Sequence, residues 1–174
     1  MADVLTPEQR ARCMSRIRSA HTKPELAVRA MLRELGIRYR LHAKELIGRP
    51  DLVIPSLKLA LFVHGCFWHR HRCKYGRVKP ASNPEFWAAK FEQNLRRDRK
   101  VRHALIKQGW RVAVIWECQT KPANHLIRRI ERILERSRRL ELRDRSRRLP
   151  AAKFYASTKT SGNRVSEVDH GAEK

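Results

Sequence analysis

The sequence predicts an α/β protein: one mixed sheet covered by helices. Three observations carry that expectation. The elements run helix, helix, three strands, helix, strand, helix. The apolar runs 57–63 and 111–116 are too short for helices and read as buried strands. The helical stretches are punctuated by start and stop residues: Thr22 to Glu25 and Asn83-Pro84 in front, Gly36 and Gly109 behind.

Taken in order, residues 6–20 form a basic helix, with Arg10, Arg12, Arg16 and Arg18 around Met14 and Ile17. Thr22-Lys23-Pro24-Glu25 fits a capping box that opens a second helix. Leu26, Ala30 and Leu35 recur there at helical spacing until Gly36 stops it. Residues 37–41 alternate apolar and basic, which predicts a strand with one wet face. A loop through Gly48 and Pro50 leads to a strand at 51–54, closed by Pro55. The run 57–63 reads as the central strand and passes directly into His64-Gly-Cys-Phe-Trp-His-Arg-His-Arg-Cys73. A long helix over 83–108 offers Phe86, Phe91, Leu95, Val101 and Leu105 to the core, and Trp87 joins Phe86 there. Residues 111–116 form another buried strand, followed by Glu117 and Cys118. A last helix covers 123–142. Beyond Leu149 the chain is polar and aperiodic, the composition of a disordered tail.

The 174 residues suffice for about one domain, and a 41% hydrophobic content can supply its core. The charge is lopsided: 40 Lys+Arg against 17 Asp+Glu leave +23. A solvated face usually mixes both signs, so the excess points to a polyanion, and nucleic acid is the usual one. No apolar run approaches the roughly 20 residues of a membrane span. The opening MADVLTPEQR lacks the apolar segment of a signal peptide. A cytosolic or nucleoid location follows, where disulfides are rare. Cys13, Cys66, Cys73 and Cys118 therefore read as free thiols or metal ligands.

Cys66, His71 and Cys73 fall within eight residues, a ligand set that suits tetrahedral zinc. Cys118, just past a buried strand, is the natural fourth corner. Four protein ligands leave no open position, so such a zinc is structural. Apparent zinc affinities of roughly 10–16 kcal/mol in small peptides indicate how strongly it would clamp this polar segment. The competing reading is three scattered cysteines beside a histidine, with Cys13 a bystander.

The same region holds residues for phosphodiester hydrolysis. That reaction needs charge neutralisation on the phosphate and an activated water. Magnesium prefers carboxylate and carbonyl oxygens. If strands 51–54 and 57–63 are neighbours, Asp51 and the backbone carbonyl near Val63 approach each other. Glu25 can join them if its helix end packs over the sheet; otherwise it only completes the capping box. Asp51, likewise, is otherwise a turn residue after Gly-Arg-Pro. His64 can contact phosphate, and His69 can serve as general base or acid near neutral pH. Asp98 can orient one of them.

Phe67 and Trp68 sit side by side among histidines and arginines. Aromatic side chains can insert between base steps and unstack them; the other reading has one of the two packing beneath the zinc. Met14, on the basic helix with Arg12 and Arg16, is either ordinary packing or a second wedge.

Gly48-Arg-Pro-Asp51, the run Phe62 to Cys73, Gly109-Trp-Arg-Val and Trp116-Glu-Cys118 together resemble the very-short-patch-repair (Vsr) DNA mismatch endonucleases. Met14-Ser-Arg-Ile-Arg-Ser followed by Thr22-x-x-Glu25 is similar too, so the resemblance covers about residues 6–140. It implies a restriction-endonuclease-like fold and a nick 5′ of the thymine in a T·G mismatch left by deamination of 5-methylcytosine. It implies magnesium on Asp51 and the Val63 carbonyl, His69 as catalytic base, and His64 and Glu25 in support. It also implies structural zinc on Cys66, His71, Cys73 and Cys118. Phe67, Trp68 and Met14 would enter DNA beside the mismatch. Arg12 and Arg16, from the charge of the basic helix, are read as DNA contacts. Phe62 and His64 stand where the wider nuclease pattern has an acid and a lysine, a departure the repair family shares. Val63 replaces a threonine of some members, and Cys13 stands in place of an asparagine. The expected organisation is a basic DNA-contacting helix at 1–20, a nuclease domain with the zinc at 21–149, and a tail at 150–174. Mismatched double-stranded DNA is the expected partner of a monomer, with other mismatch-repair proteins and a cytosine-5 methyltransferase system in its circle.

Overall fold

The computed structural model describes Thr6, Glu8, Gln9, Arg12 and residues 20–80 and 83–148. Met14, Arg16, Cys13, most of the expected first helix and the 150–174 tail lie outside the described residues. What is described of the first helix agrees with its start. Glu8, Gln9 and Arg12 are helical. Thr6 and Gln9 exchange backbone-to-side-chain hydrogen bonds of 2.9 and 3.3 Å, the reciprocal arrangement of a capping box.

Helix α1 spans Lys23–Glu34. The Thr22 hydroxyl accepts from the Glu25 N–H, and proline sits in the first turn, where an amide hydrogen is not needed. Gly36 takes φ +65°, and the Ile37 N–H turns back to the Leu32 carbonyl at 2.9 Å. The apolar face differs from the expected one. Val28 and Leu32 are fully buried, whereas Leu26 is 48% exposed. The core contact runs along Val28, Leu32 and Leu35, with Glu25 and Arg29 drawn in beside it.

The sheet order is β1 (Arg40–Leu41), β2 (Leu52–Ile54), β3 (Leu59–His64), β4 (Arg111–Trp116). The first two pairings are antiparallel and the third is parallel. Only Arg40 and Leu41 of the expected 37–41 strand pair, while Ile37 and Tyr39 pack against the core. Pro55 ends β2 in a short 3-10 turn, Pro55–Leu57. A parallel pair needs a crossover, and helix α2 (Pro84–Lys107) provides it between β3 and β4. Asn83 caps α2 by accepting from the Phe86 N–H at 3.3 Å. Strand β4 is an edge strand rather than a buried one, with only Ile115 fully buried.

Strand side chains alternate between faces. On one face Leu52, Ile54, Leu59, Leu61 and Ile115 meet α1 and helix α3 (Ala123–Arg148) through Leu126, Ile130, Ile133 and Leu134. On the other, Phe62, His64, Val112, Val114 and Trp116 face a cleft shared with α2. Helix α3 runs six residues past the expected end at 142. Arg111 explains this: its guanidinium bonds the Leu57 carbonyl, Glu141 at 2.7 Å and Asp144 at 2.5 Å. Those last turns are held by ion pairs to the start of β4, which an apolar periodicity cannot register. Among the described residues, no helix is long and apolar enough to cross a membrane.

Candidate active site and metal centre

Parallel pairing of β3 with β4 aligns His64 with Trp116. Cys66 and Cys118 therefore leave the same end of the sheet, each two residues beyond that pair. The turn after β3 returns His71 and Cys73 to the same place. The four ligand atoms of Cys66, His71, Cys73 and Cys118 all lie within 4.8 Å of one another. His71 Nδ1 is 3.8 Å from Cys66 Sγ and 3.4 Å from Cys118 Sγ. Ligands about 2.3 Å from a tetrahedral zinc stand roughly 3.7 Å apart, so the donor set fits such an ion in chemistry and in spacing. Burial pushes the Cys66 thiol up to about 12 and raises that of Cys118. At Cys73 burial is outweighed by hydrogen bonds from His71 and from backbone groups, which bring it down to about 6. Metal ligation requires thiolates, so a cation here would replace protons on the two resistant thiols.

The surroundings of this cluster were not evident from the sequence. The Glu117 carboxylate accepts the Cys66 N–H at 3.2 Å. His71 stacks on Trp116 with centroids 4.4 Å apart. A side chain at Gly76 would bring its Cβ to 2.0 Å from the His71 carbonyl oxygen, so the return of the turn requires glycine there.

On the cleft side, antiparallel pairing of Leu52 with Leu61 sets Asp51 alongside the end of β3. Asp51 Oδ2 accepts the Val63 N–H at 2.7 Å. Burial raises the Asp51 pKa, the Val63 hydrogen bond opposes that, and the Glu25 charge adds to it. Glu25, Asp51 and His42 offer ligand atoms within 4.8 Å of one another. Glu25 does not complete a capping box. It is 2% exposed, accepts the His21 N–H at 2.7 Å, contacts His42 Nε2 at 3.2 Å and is paired with Arg29. Its carboxylate is thus turned toward Asp51. Arg29 also reaches His21 Nδ1 at 2.9 Å and His42 Nε2 at 3.1 Å. His42 and Arg29 were missed in the sequence. The signal for His42 lies in the register: Leu41 pairs with Leu52, so His42 falls beside Asp51 and its N–H reaches the Asp51 carbonyl at 3.2 Å.

Facing this group, His69 Nδ1 lies 2.5 Å from Asp98 Oδ2, which stands 4.0 Å from His64 Nδ1. The two imidazoles stack at 3.8 Å, 13° from parallel. Burial and the neighbouring His69 lower the His64 pKa to about 4, so it is neutral at pH 7. For Asp98, burial acts upward but the hydrogen bond and charge of His69 prevail and lower its pKa. Asp51, His64, His69 and Asp98 all line a cleft of about 560 Å³, with Arg49, Arg97, Arg99 and Arg102 around it. Carboxylates able to hold a hard cation, a histidine oriented by a carboxylate, and a ring of cations suit hydrolysis of a phosphodiester.

Phe67 and Trp68 are half-buried beside the cluster of cysteines. Phe67 meets Trp68, Trp87 and Phe91 edge-on at 5.2, 5.3 and 5.2 Å, and Trp68 lies 5.9 Å from Trp87. Asn94 donates to the Trp68 carbonyl at 3.0 Å and fixes the turn against α2. Trp87 is core at 8% exposure, but Phe86 is 51% exposed, contrary to expectation, because it points outward from the first turn of α2. Arg12 is exposed.

Residues 2–75 match the family described as DNA mismatch endonuclease Vsr. The chain is 47% identical over 137 residues to the type II nicking enzyme V.XorIIP of Xanthomonas oryzae pv. oryzae, covering 79% of this chain and 100% of that relative. It is 43% identical over 121 residues to the type II nicking enzyme V.NmeAIP of Neisseria meningitidis, covering 70% and 86%. It is 39% identical over 118 residues to the DNA mismatch endonuclease Vsr of Escherichia coli K12, covering 68% and 75%. With its histidine–carboxylate cleft and its four-residue thiol–imidazole cluster, this chain is a DNA endonuclease that belongs to the Vsr family.

Proposed function

We propose that the chain is a magnesium-dependent, strand-specific nickase that cuts 5′ of the thymine in T·G mismatches arising from 5-methylcytosine deamination, and so starts very short patch repair. The observation that carries this reading is the convergence of Asp51 and the His69–Asp98 pair on one arginine-rimmed cleft. The E. coli relative named a DNA mismatch endonuclease supports the choice of substrate. Magnesium, held by Asp51 and the Val63 carbonyl with Glu25 nearby, would neutralise charge on the phosphate and favour ionisation of water. His69 presents Nδ1 to Asp98, which leaves Nε2 to take the proton from the attacking water. His64, neutral and stacked on His69, limits how that ring can tilt and reaches toward the phosphate.

Zinc on Cys66, His71, Cys73 and Cys118 is structural in this reading, since four protein ligands close its coordination. Bound there, it would anchor the turn that carries both His69 and the Phe67–Trp68 wedge, and so would fix the distance from cut to disturbed base pair. The mixed sheet with helices on both faces accords with a restriction-endonuclease-like core over 21–149. The 1–20 helix, with Met14, Arg12 and Arg16, adds DNA contacts, and 150–174 is a tail. The protein acts as a cytoplasmic monomer on double-stranded DNA, alongside other mismatch-repair proteins and a cytosine-5 methyltransferase system.

A second reading is a nickase with a broader structural or sequence preference; relatives named type II nicking enzymes favour it. A nicking panel of T·G, T·A and unmodified duplexes with and without magnesium separates the two. Cutting of T·G alone is expected, and equal cutting of all three would overturn the mismatch assignment. Asp51→Ala and His69→Ala should abolish nicking and leave DNA binding in place; retained turnover in either would mean the site is misassigned. Trp68→Ala should lower the T·G to T·A ratio more than overall affinity, because phosphate contacts carry the non-specific part.

A further inference from the structure

Helix α3 has an outer side that the cleft does not use. Its sequence, Ala123–Arg148, holds ten arginines, no lysine and four acids. Two of those acids, Glu141 and Asp144, are occupied by Arg111. Arg132, Arg136, Arg139 and Arg143 follow at spacings of four, three and four, line one shallow surface, and are all exposed. Among the described residues none of the four forms an ion pair, although Glu135 lies on the same surface. Like charges at these spacings oppose one another along a helix. Glu135 is the one opposite charge among them, so the four arginines repel one another with only partial compensation, and a polyanion laid along the stripe relieves that repulsion.

The position of the stripe is set by the sheet. The cleft uses Phe62, His64, Val112 and Val114, whereas α3 packs on Leu59, Leu61 and Ile115, which point the other way. Helix α3 thus lies behind the sheet as seen from the cleft, and the stripe is turned away from the core-facing Ile130, Ile133 and Leu134. At 1.5 Å per residue it is about 16 Å long, which matches roughly five base-pair steps of duplex at 3.4 Å each. Guanidinium forks fit phosphate oxygens in pairs, which agrees with the exclusive use of arginine.

We infer that the Arg132–Arg136–Arg139–Arg143 face of α3 binds the phosphate backbone of a second DNA segment, distinct from the one in the cleft. The contact is independent of base sequence, because it meets phosphates and not base edges. It holds the enzyme on DNA while the cleft engages a site elsewhere. The inference requires only that the chain acts on DNA and does not depend on the preference for T·G.

The test first saturates one site per chain with an unlabelled short duplex, in parallel series with a T·G pair and fully paired and without magnesium, then titrates a labelled, fully paired duplex and reads total stoichiometry, bound labelled and unlabelled duplex together, and salt dependence. The wild type should take up the second duplex. The fourfold variant R132Q/R136Q/R139Q/R143Q should lose it, with the salt slope of log K falling by about 3–4, since each phosphate contact contributes about 0.9. Its single-turnover nicking of a short duplex and its helical circular dichroism should stay unchanged. The fourfold Arg→Lys variant, which keeps the charge, should retain most of the second binding. A single duplex per wild-type chain, an unchanged salt slope in the Gln variant, or binding of polyglutamate in preference to duplex would each overturn the inference.

Discussion

The loop that delivers Asp51 to the cleft depends on Gly48, and the structure gives the consequence of replacing it. Gly48 has φ +76°, and a Cβ built on it would lie 2.3 and 2.7 Å from the two γ-methyls of Val101 on α2. Gly48→Ala therefore meets two independent penalties. The left-handed backbone costs about 1–2 kcal/mol for a residue with a Cβ. Forcing Val101 aside costs about 1–3 kcal/mol, as overpacking does elsewhere. The sum, about 2–5 kcal/mol, is a large part of the about 5–15 kcal/mol that holds a typical domain. With a urea slope of about 2 kcal/mol per molar, the middle of the usual range, the midpoint should fall by about 1–2.5 M. Val101→Ala removes the two clashing methyls and leaves the backbone penalty. The double variant should therefore be more stable than the sum of the single effects by about 1–3 kcal/mol. Urea titrations of the four proteins supply the cycle. Strict additivity, or a Gly48→Ala cost below about 0.5 kcal/mol, would refute the claim that this contact locks the loop to α2.

Three further outcomes are expected. Asp98→Asn exchanges a charge-assisted hydrogen bond to His69 for a neutral one. At about 1.5–3 kcal/mol, nicking should slow about 10- to 150-fold with DNA affinity unchanged, and a fully active variant would remove Asp98 from the site. If the proposed site holds zinc, the wild type should carry one ion per chain by atomic emission and Cys118→Ser well below one; a loss of even about 3 kcal/mol would lower the thermal midpoint by about 6–12 °C. His64 gives a pH dependence whose sign follows from its lowered folded pKa of about 4. The unfolded imidazole binds its proton first, so the stability from neutral His64 is full above about pH 6.5 and is lost as pH falls toward about 4, by up to about 3 kcal/mol. His64→Gln should lose less stability than the wild type between pH 7 and pH 4.5, and parallel losses would count against a buried neutral His64.

Much of the architecture was legible from residue order, because the signals involved are local. Thr22 and Gly36 bound α1 by satisfying or releasing backbone groups at its ends, and Pro55 stops β2 for want of an amide hydrogen. The 66–73 spacing gathers Cys66, His71 and Cys73 within a single turn, so a candidate metal-binding set could be read from the sequence. Their joining with Cys118 is now seen in the register of β3 on β4, and the resemblance to the Vsr family agrees with the relatives found.

The rest depended on contacts between residues remote in sequence. Glu25 looked like a capping residue because Thr22 stands three positions before it. Only the approach of Arg29, His21 and His42 turns its carboxylate toward Asp51. Phe86 and Trp87 are indistinguishable as neighbours in a sequence, yet the rotation of α2 buries one and exposes the other. Helix α3 outlasts its apolar pattern because Arg111, some thirty residues earlier, pairs with its last turns. The sequence alone determined which groups are available and where local structure begins and ends, since caps, glycines and short ligand spacings act over a few residues. Only the tertiary structure decided which carboxylate faces which histidine, because burial and pairing of charges are properties of the packed sheet and not of neighbouring residues.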